Sequence, residues 1–312
     1  MSPTLKIPTT KLSSLQPEQL AAWATEAINR SLSGQMPAYI PLLVQADKSE
    51  LAVQIMAIDG EFMGFGRADK IFPLMSVTKP FVLLYLLCEL GETAVFDRVG
   101  CDPSELPFNS LTQLQIDKGK PRNPMINSGA IALASLIPGE NAVTRCQNLG
   151  TWLNQQANSQ LFVDELMLDS VNATPNQNNW NLALEMVKSG VIQDAEIALE
   201  TYNRVCCLSG TVEDLARLGM LLVNNGDRTI SEQGRTVKAL MATCGLYQAS
   251  GRFAVRVGLP TKSGVSGAVL SVIPGQGAIA CYSPPLDQEG NSVGGLFLLE
   301  QIAKTLRLSV FE

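Results

Sequence analysis

The 312-residue chain has no histidine at all. Without an imidazole there is no Ser-His-Asp triad, no Cys-His pair, no His-ligated zinc and no HExxH helix, so any catalysis must rest on Lys, Tyr, Ser, Cys or carboxylates. Aromatics are sparse, at 6%, and no basic cluster is interleaved with them; 23 Lys and Arg stand against 29 Asp and Glu, a formal charge of −6. That pattern excludes a nucleic-acid partner. Long apolar runs are missing too: Phe81 to Leu90 spans ten residues, against the ~20 needed to cross a bilayer. The N-terminus, MSPTLKIPTT, has no apolar signal core, and a soluble cytoplasmic protein with no membrane partner is expected. The seven cysteines are odd in number, contain no CxxC and sit mostly in apolar runs; they read as reduced core residues, with no metal site.

A chain of this length can bury roughly 75% of its unfolded surface, so a large core is available. Residues 1–16 are rich in Pro, Thr and Ser and read as a loose arm, after which Pro17 opens an amphipathic helical run, Glu18 to Arg30. Leu51 to Ile58, then Asp59-Gly60, then Glu61 to Phe65 has the form of a β-hairpin with a type I′ turn. From about 76 to 245 the periods are helical: Ala142 to Gln155, Trp180 to Lys188, Thr211 to Asn224 and Ser231 to Ala242. Strand patterns return in Phe253 to Leu259, Gly267 to Ile273 and Gly277 to Ser283, before a last helical period from Gly294 to Thr305. The expected fold is α+β. An antiparallel sheet of about five strands draws on both chain ends and packs with terminal helices. The α/β lobe takes about 17–75 and 246–312, an all-helical lobe about 76–245 is inserted, and together they make one domain over 17–312 with a cleft between the lobes.

Ser76-Val77-Thr78-Lys79 precedes Pro80 and a strongly apolar helical run, which places it in a first helical turn. Positions i and i+3 share a helix face, so the Lys79 amine can reach the Ser76 hydroxyl and accept its proton if burial lowers its pKa. Ser-x-x-Lys alone is common. It gains force from Lys262-Ser263-Gly264, a tripeptide that on an edge strand can face such a serine. With histidine absent, no other nucleophile and base can be assembled.

Several longer segments resemble the serine-dependent glutaminases, whose fold is shared with the penicillin-recognising β-lactamases. They are Ala38 to Leu42, Ser76 to Pro80, Pro107 to Leu111, Arg122 to Ala130, Gly258 to Gly267, Ser283 to Asp287 and Gly290 to Ser292. The resemblance covers about residues 38–300. It implies a β-lactamase-like fold and hydrolysis of L-glutamine to L-glutamate and ammonia through an acyl-enzyme on Ser76, with Lys79 as base. No cofactor and no metal are implied, and a homodimer or homotetramer is. It assigns Tyr202, Tyr247 and Lys262 to catalysis, the backbone N–H of Val265 and that of Ser76 to the oxyanion, and Tyr39, Asn127 and Asn181 to the substrate. The family carries a Glu seven residues before that last asparagine, pairing with the substrate ammonium. Here the corresponding residue is Thr174, Trp180 replaces an arginine, and Cys207 replaces a serine after Cys206. A neutral hydroxyl cannot replace a charge-assisted bond. Two alternatives therefore stay open: a Ser-Lys hydrolase of another amide, and a catalytically weak amino-acid-binding homologue.

Overall fold

The computed structural model describes residues 10–174, 176–223 and 226–312. The chain enters through helices α1 (Pro17–Ser31) and α2 (Pro41–Val44), a hairpin of β1 (Ala52–Ala57) and β2 (Phe62–Gly66), and the short β3 (Phe72–Pro73). A 3-10 turn, Met75–Thr78, then leads into α3 (Lys79–Phe96). The middle comprises α4 (Leu111–Ile116), α5 (Asn127–Ala134), α6 (Ala142–Ala157), β4 (Phe162–Val163), α7 (Glu165–Asn172), α8 (Gln177–Lys188), α9 (Ala195–Cys206), β5 (Leu208–Gly210), α10 (Val212–Val223) and α11 (Arg228–Cys244). A second 3-10 turn, Tyr247–Ala249, is followed by α12 (Ser250–Arg256), β6 (Thr261–Ser263), β7 (Ala268–Ile273), β8 (Gly277–Tyr282) and α13 (Val293–Leu306).

The main sheet has the order β2-β1-β8-β7-β6 and is antiparallel throughout, joining strands from both ends of the chain. Strand alternation sends Val53, Ile55, Val269, Ile279 and Cys281 to one face, where they pack with Leu20, Ala24, Leu298 and Ile302 of the two terminal helices. The other face, with Ala268, Leu270, Ala278 and Ala280, receives α10. Small residues fill that face because α10 runs close to it: a Cβ on Gly219 would lie 2.7 Å from the Ala278 side chain. A sheet covered on both sides explains why β7 and β8 are buried at every position.

Three expectations need correction. Phe253 to Leu259 is not a strand. Phe253 and Val257 are buried while Val255 is 89% exposed, so the apolar period is four, and residues Ser250–Arg256 form α12. The fifth strand is supplied instead by Thr261–Ser263, so the Lys-Ser-Gly tripeptide itself forms the sheet edge. The hairpin turn is not type I′, which requires positive φ at both central residues: only Gly60 has it (φ 92), and Ala57 accepts from Gly60 N while donating to Glu61 O, a three-residue loop with a glycine bulge. The arm is not loose where it is described. Leu12 and Leu15 are buried against the sheet, and Ser13 donates to Asp59 at 2.6 Å; the polar neighbours had masked two core leucines. The remainder of the arm, residues 1–9, and Asn224 at the end of one helical period lie outside the described residues.

Candidate active site

Ser76 lies in the 3-10 turn before α3, one residue after Met75, whose φ of 49° is a left-handed conformation that a non-glycine residue adopts only at a cost. Lys79 is the first residue of α3 and is fully enclosed, with Pro80 behind it supplying no backbone donor where none is needed. Its amine donates to Asn127 Oδ1 at 2.9 Å and to the Met125 carbonyl at 3.2 Å. An ammonium has three donors, so one direction stays open. Burial, with no carboxylate among the described residues acting on it, brings the Lys79 pKa down to about 8.

Asn127 opens α5 but does not cap it; the N-cap is Ile126, without a side-chain bond. Its side chain instead turns to the site, accepting from Lys79 and from the Tyr202 hydroxyl at 3.3 Å, and donating through Nδ2 to Asn179 Oδ1 at 3.0 Å. Close packing fixes the helix start, because a Cβ on Gly129 would sit 1.9 Å from the Asn123 carbonyl oxygen. Asn123 in turn braces the loop, donating to Asp102 O and accepting from Met125 N.

From the sheet side comes Lys262, buried on β6, its amine 2.5 Å from the Ser263 carbonyl and 4.3 Å above the Tyr247 ring. Burial, and then the charge of Lys79, push its pKa well below that of a free lysine. Gly264 lets the end of β6 approach the nucleophile turn: a Cβ there would lie 2.7 Å from Leu74 O and 3.3 Å from Ser76 N. Next to it, the Val265 N–H, like that of Ser76, donates to no acceptor among the described residues. Both amides are unshared, and Gly264 brings the segments that carry them into contact.

Tyr247 is held at φ 57°, buried, and its hydroxyl is unpaired among the described residues. Burial outweighs the nearby Ser76 hydroxyl and raises its pKa to about 12. Tyr202, on α9, is raised further by burial and by Cys206. Tyr39 exposes half its surface, yet its hydroxyl end is enclosed beside Tyr247 and Cys206, and its pKa is raised. Ser76, Lys79, Tyr39, Asn127, Tyr202, Tyr247, Lys262 and Val265 are therefore one constellation.

Thr174 and Asn181 stand apart from it. Thr174 is exposed in the turn after α7, where its side chain bonds to no described residue, and Pro175 beside it lies outside the described residues. Asn181 accepts from Gln177 on the exposed side of α8, at 3.0 Å. The asparagine that reaches the site is Asn179, buried in the first turn of α8, its N–H capped by Asn176 and its side chain on Asn127. Counted back seven positions from Asn179, the family's acidic position falls on Asn172, also neutral, which accepts from Asn203 at 3.2 Å. The run Asn176 to Asn181 holds four asparagines; the capping pattern, Asn176 three residues ahead of Asn179, was the signal that distinguishes them. Cys206 was also missed as a wall residue. It lies one helical turn beyond Tyr202 and lines a small cavity with Lys79, Ala130, Leu133 and Tyr202.

A serine in a strained turn, beside two buried amines of lowered pKa and two unshared amides, is the equipment of an acyl-transfer centre of the serine-lysine class. The glutaminase family model matches residues 34–311. A glutaminase of Synechocystis sp. is 44% identical over 289 residues, covering 92% of this chain and 88% of that protein. The structure of a probable glutaminase of Bacillus subtilis complexed with 6-diazo-5-oxo-L-norleucine superimposes with a TM-score of 0.85 at 31% identity, covering 95% of this chain and 97% of that one. A covalent complex of a Bacillus subtilis glutaminase with 5-oxo-L-norleucine, formed by reaction with the diazo compound, gives 0.83 at 30% identity, covering 95% and 99%. The chain belongs to the glutaminase family, and its α+β, β-lactamase-like architecture is the one expected from the sequence.

Proposed function

We propose that this protein hydrolyses the side-chain amide of L-glutamine to L-glutamate and ammonia through a Ser76 acyl-enzyme, within one catalytic domain spanning 17–312. The observation that carries the reading is Lys79: an enclosed amine with its pKa near 8, held by Asn127 and three residues from a serine. The neutral amine accepts the Ser76 proton as Oγ attacks the amide carbon, and the resulting oxyanion takes the N–H groups of Ser76 and Val265. Collapse breaks the C–N bond; the proton on Lys79, relayed by Tyr202 or Tyr247, leaves with ammonia. Water then attacks the ester, delivering a proton to Lys79; as the ester C–O bond breaks, Lys79 returns that proton to Ser76 Oγ and glutamate departs. Lys262 holds the face of the Tyr247 ring, and Tyr39, Asn127 and Asn179 line the approach.

The relatives support this assignment chemically, since the compound bound to the Bacillus subtilis protein carries its ketone at C5, the position of the amide carbonyl in glutamine. The described residues contain no helix long and apolar enough to cross a membrane, and a cytoplasmic homodimer or homotetramer needing no cofactor completes the proposal. The test is ammonia and glutamate release from L-glutamine by wild type and by Ser76→Ala. Turnover confined to wild type is expected, and an equal steady-state rate in a folded Ser76→Ala protein contradicts the mechanism.

A further inference from the structure

Free glutamine carries an α-carboxylate and an α-ammonium, and a site that recognises both offers hydrogen-bond donors to the first and an anion to the second. This site is rich in donors. Asn127 spends its oxygen on Lys79 and Tyr202, and only one of its two amide hydrogens goes to Asn179, leaving the other as a donor. Asn179 Nδ2 makes no bond among the described residues, so its two hydrogens are unspent in the same pair. The unpaired Tyr247 hydroxyl adds to them.

Anions lie elsewhere. Asp164 is spent capping α7 and Glu165 pairs with Arg204. Asp169 is exposed, and no acid occurs from Ser170 to Leu184, across the end of α7 and the start of α8. No ion pair among the described residues includes Ser76, Lys79, Asn127, Asn179, Tyr202 or Lys262. The influences on Lys79, Lys262, Tyr202, Tyr247 and Cys206 are burial, the Ser76 hydroxyl and neighbouring members of the same group, with no carboxylate among them. An ammonium entering here would meet a lysine and neutral amides and no opposite charge.

We propose that the Asn127–Asn179 amide wall reads the substrate's carboxylate and is indifferent to the α-ammonium, so that the substrate class is ω-carbamoyl carboxylates, of which L-glutamine is one and the amine-free 4-carbamoylbutanoate another. The inference rests on the amidohydrolase reading above and narrows it: selection falls on the distance between amide and carboxylate, not on the amino-acid head group.

The experiment measures kcat/KM for ammonia release from L-glutamine and from 4-carbamoylbutanoate, in wild type and in Asn179→Asp. That substitution adds a negative charge to the wall at nearly constant volume. In wild type the two values fall within tenfold of each other; in Asn179→Asp the ratio moves at least tenfold toward glutamine. The shared chemical steps cancel in the ratio, so a change in Lys79 affects neither conclusion. A wild-type preference for glutamine of a hundredfold or more overturns the inference and leaves the glutaminase reading intact. An unchanged ratio in a folded Asn179→Asp protein shows that this wall does not face the head group and overturns the assignment. Release from neither amide overturns the amidohydrolase reading itself.

Discussion

The Lys79 amine and the Asn127 side-chain oxygen meet at 2.9 Å, with both side chains buried and no acid among the described residues acting on the amine. The pairing holds the amine in place without charging it: an amide oxygen orients a lysine, whereas a carboxylate would lock it as ammonium.

Asn127→Asp is therefore expected to slow the reaction by keeping Lys79 protonated. The acid limb of the kcat/KM profile moves upward by one unit or more, and activity lost at pH 7 is partly recovered at pH 9.5. An unshifted limb would show that Asn127 does not govern this amine.

In wild type the same profile rises with pH through a midpoint near 8, because only neutral Lys79 accepts the Ser76 proton. Stability follows the same group. The folded pKa, about 8, lies below the 10.5 of a free lysine, so the unfolded chain holds more protons between those pH values and folding strengthens as pH rises through that window. The full difference corresponds to about 3 kcal/mol, and the gain up to pH 9.5 is the greater part of it. Lys79→Met removes this contribution. Urea denaturation of both proteins at pH 7.5 and 9.5 checks it: the wild type should gain stability on Lys79→Met as the buffer becomes more alkaline.

Gly264→Ala should separate folding from catalysis. The added methyl meets the Leu74 carbonyl at 2.7 Å and must push β6 away from the Ser76 turn, taking the Val265 N–H with it. Loss of one oxyanion donor typically costs about 10²–10³ in kcat. A fall of that order with little change in KM is expected, and circular dichroism should stay native.

Asn179→Ala and Asn181→Ala form a matched pair. The first strands the Asn127 amide in a buried setting, a loss of about 1–3 kcal/mol, and kcat/KM should drop ten-fold or more. The second removes a bond to Gln177 on the exposed face of α8, and its kinetics should remain near wild type. Equal effects would contradict the placement of α8.

Much of this was legible because the segments that carry the chemistry are long and local. Ser76 and Lys79 are three residues apart, and the hairpin from Leu51 to Phe65 declares itself through Asp59-Gly60. What was not legible depends on partners remote in the chain. Phe253 to Leu259 alternates like a strand, and only the exposure of Val255 on α12 shows that its period is four. Leu12 and Leu15 looked like part of a polar arm because the core they enter is built from β1, β7 and α13. Among neighbouring asparagines, Asn179 is singled out by Asn127, 52 residues earlier.

Mass spectrometry of the intact protein after brief exposure to 6-diazo-5-oxo-L-norleucine tests the central claim most directly. The account predicts one adduct per chain, located on Ser76 by peptide mapping, suppressed by excess glutamate, and absent from both Ser76→Ala and Lys79→Met. Labelling at Cys206 or elsewhere with Ser76 unmodified, or undiminished labelling in Ser76→Ala, would contradict it.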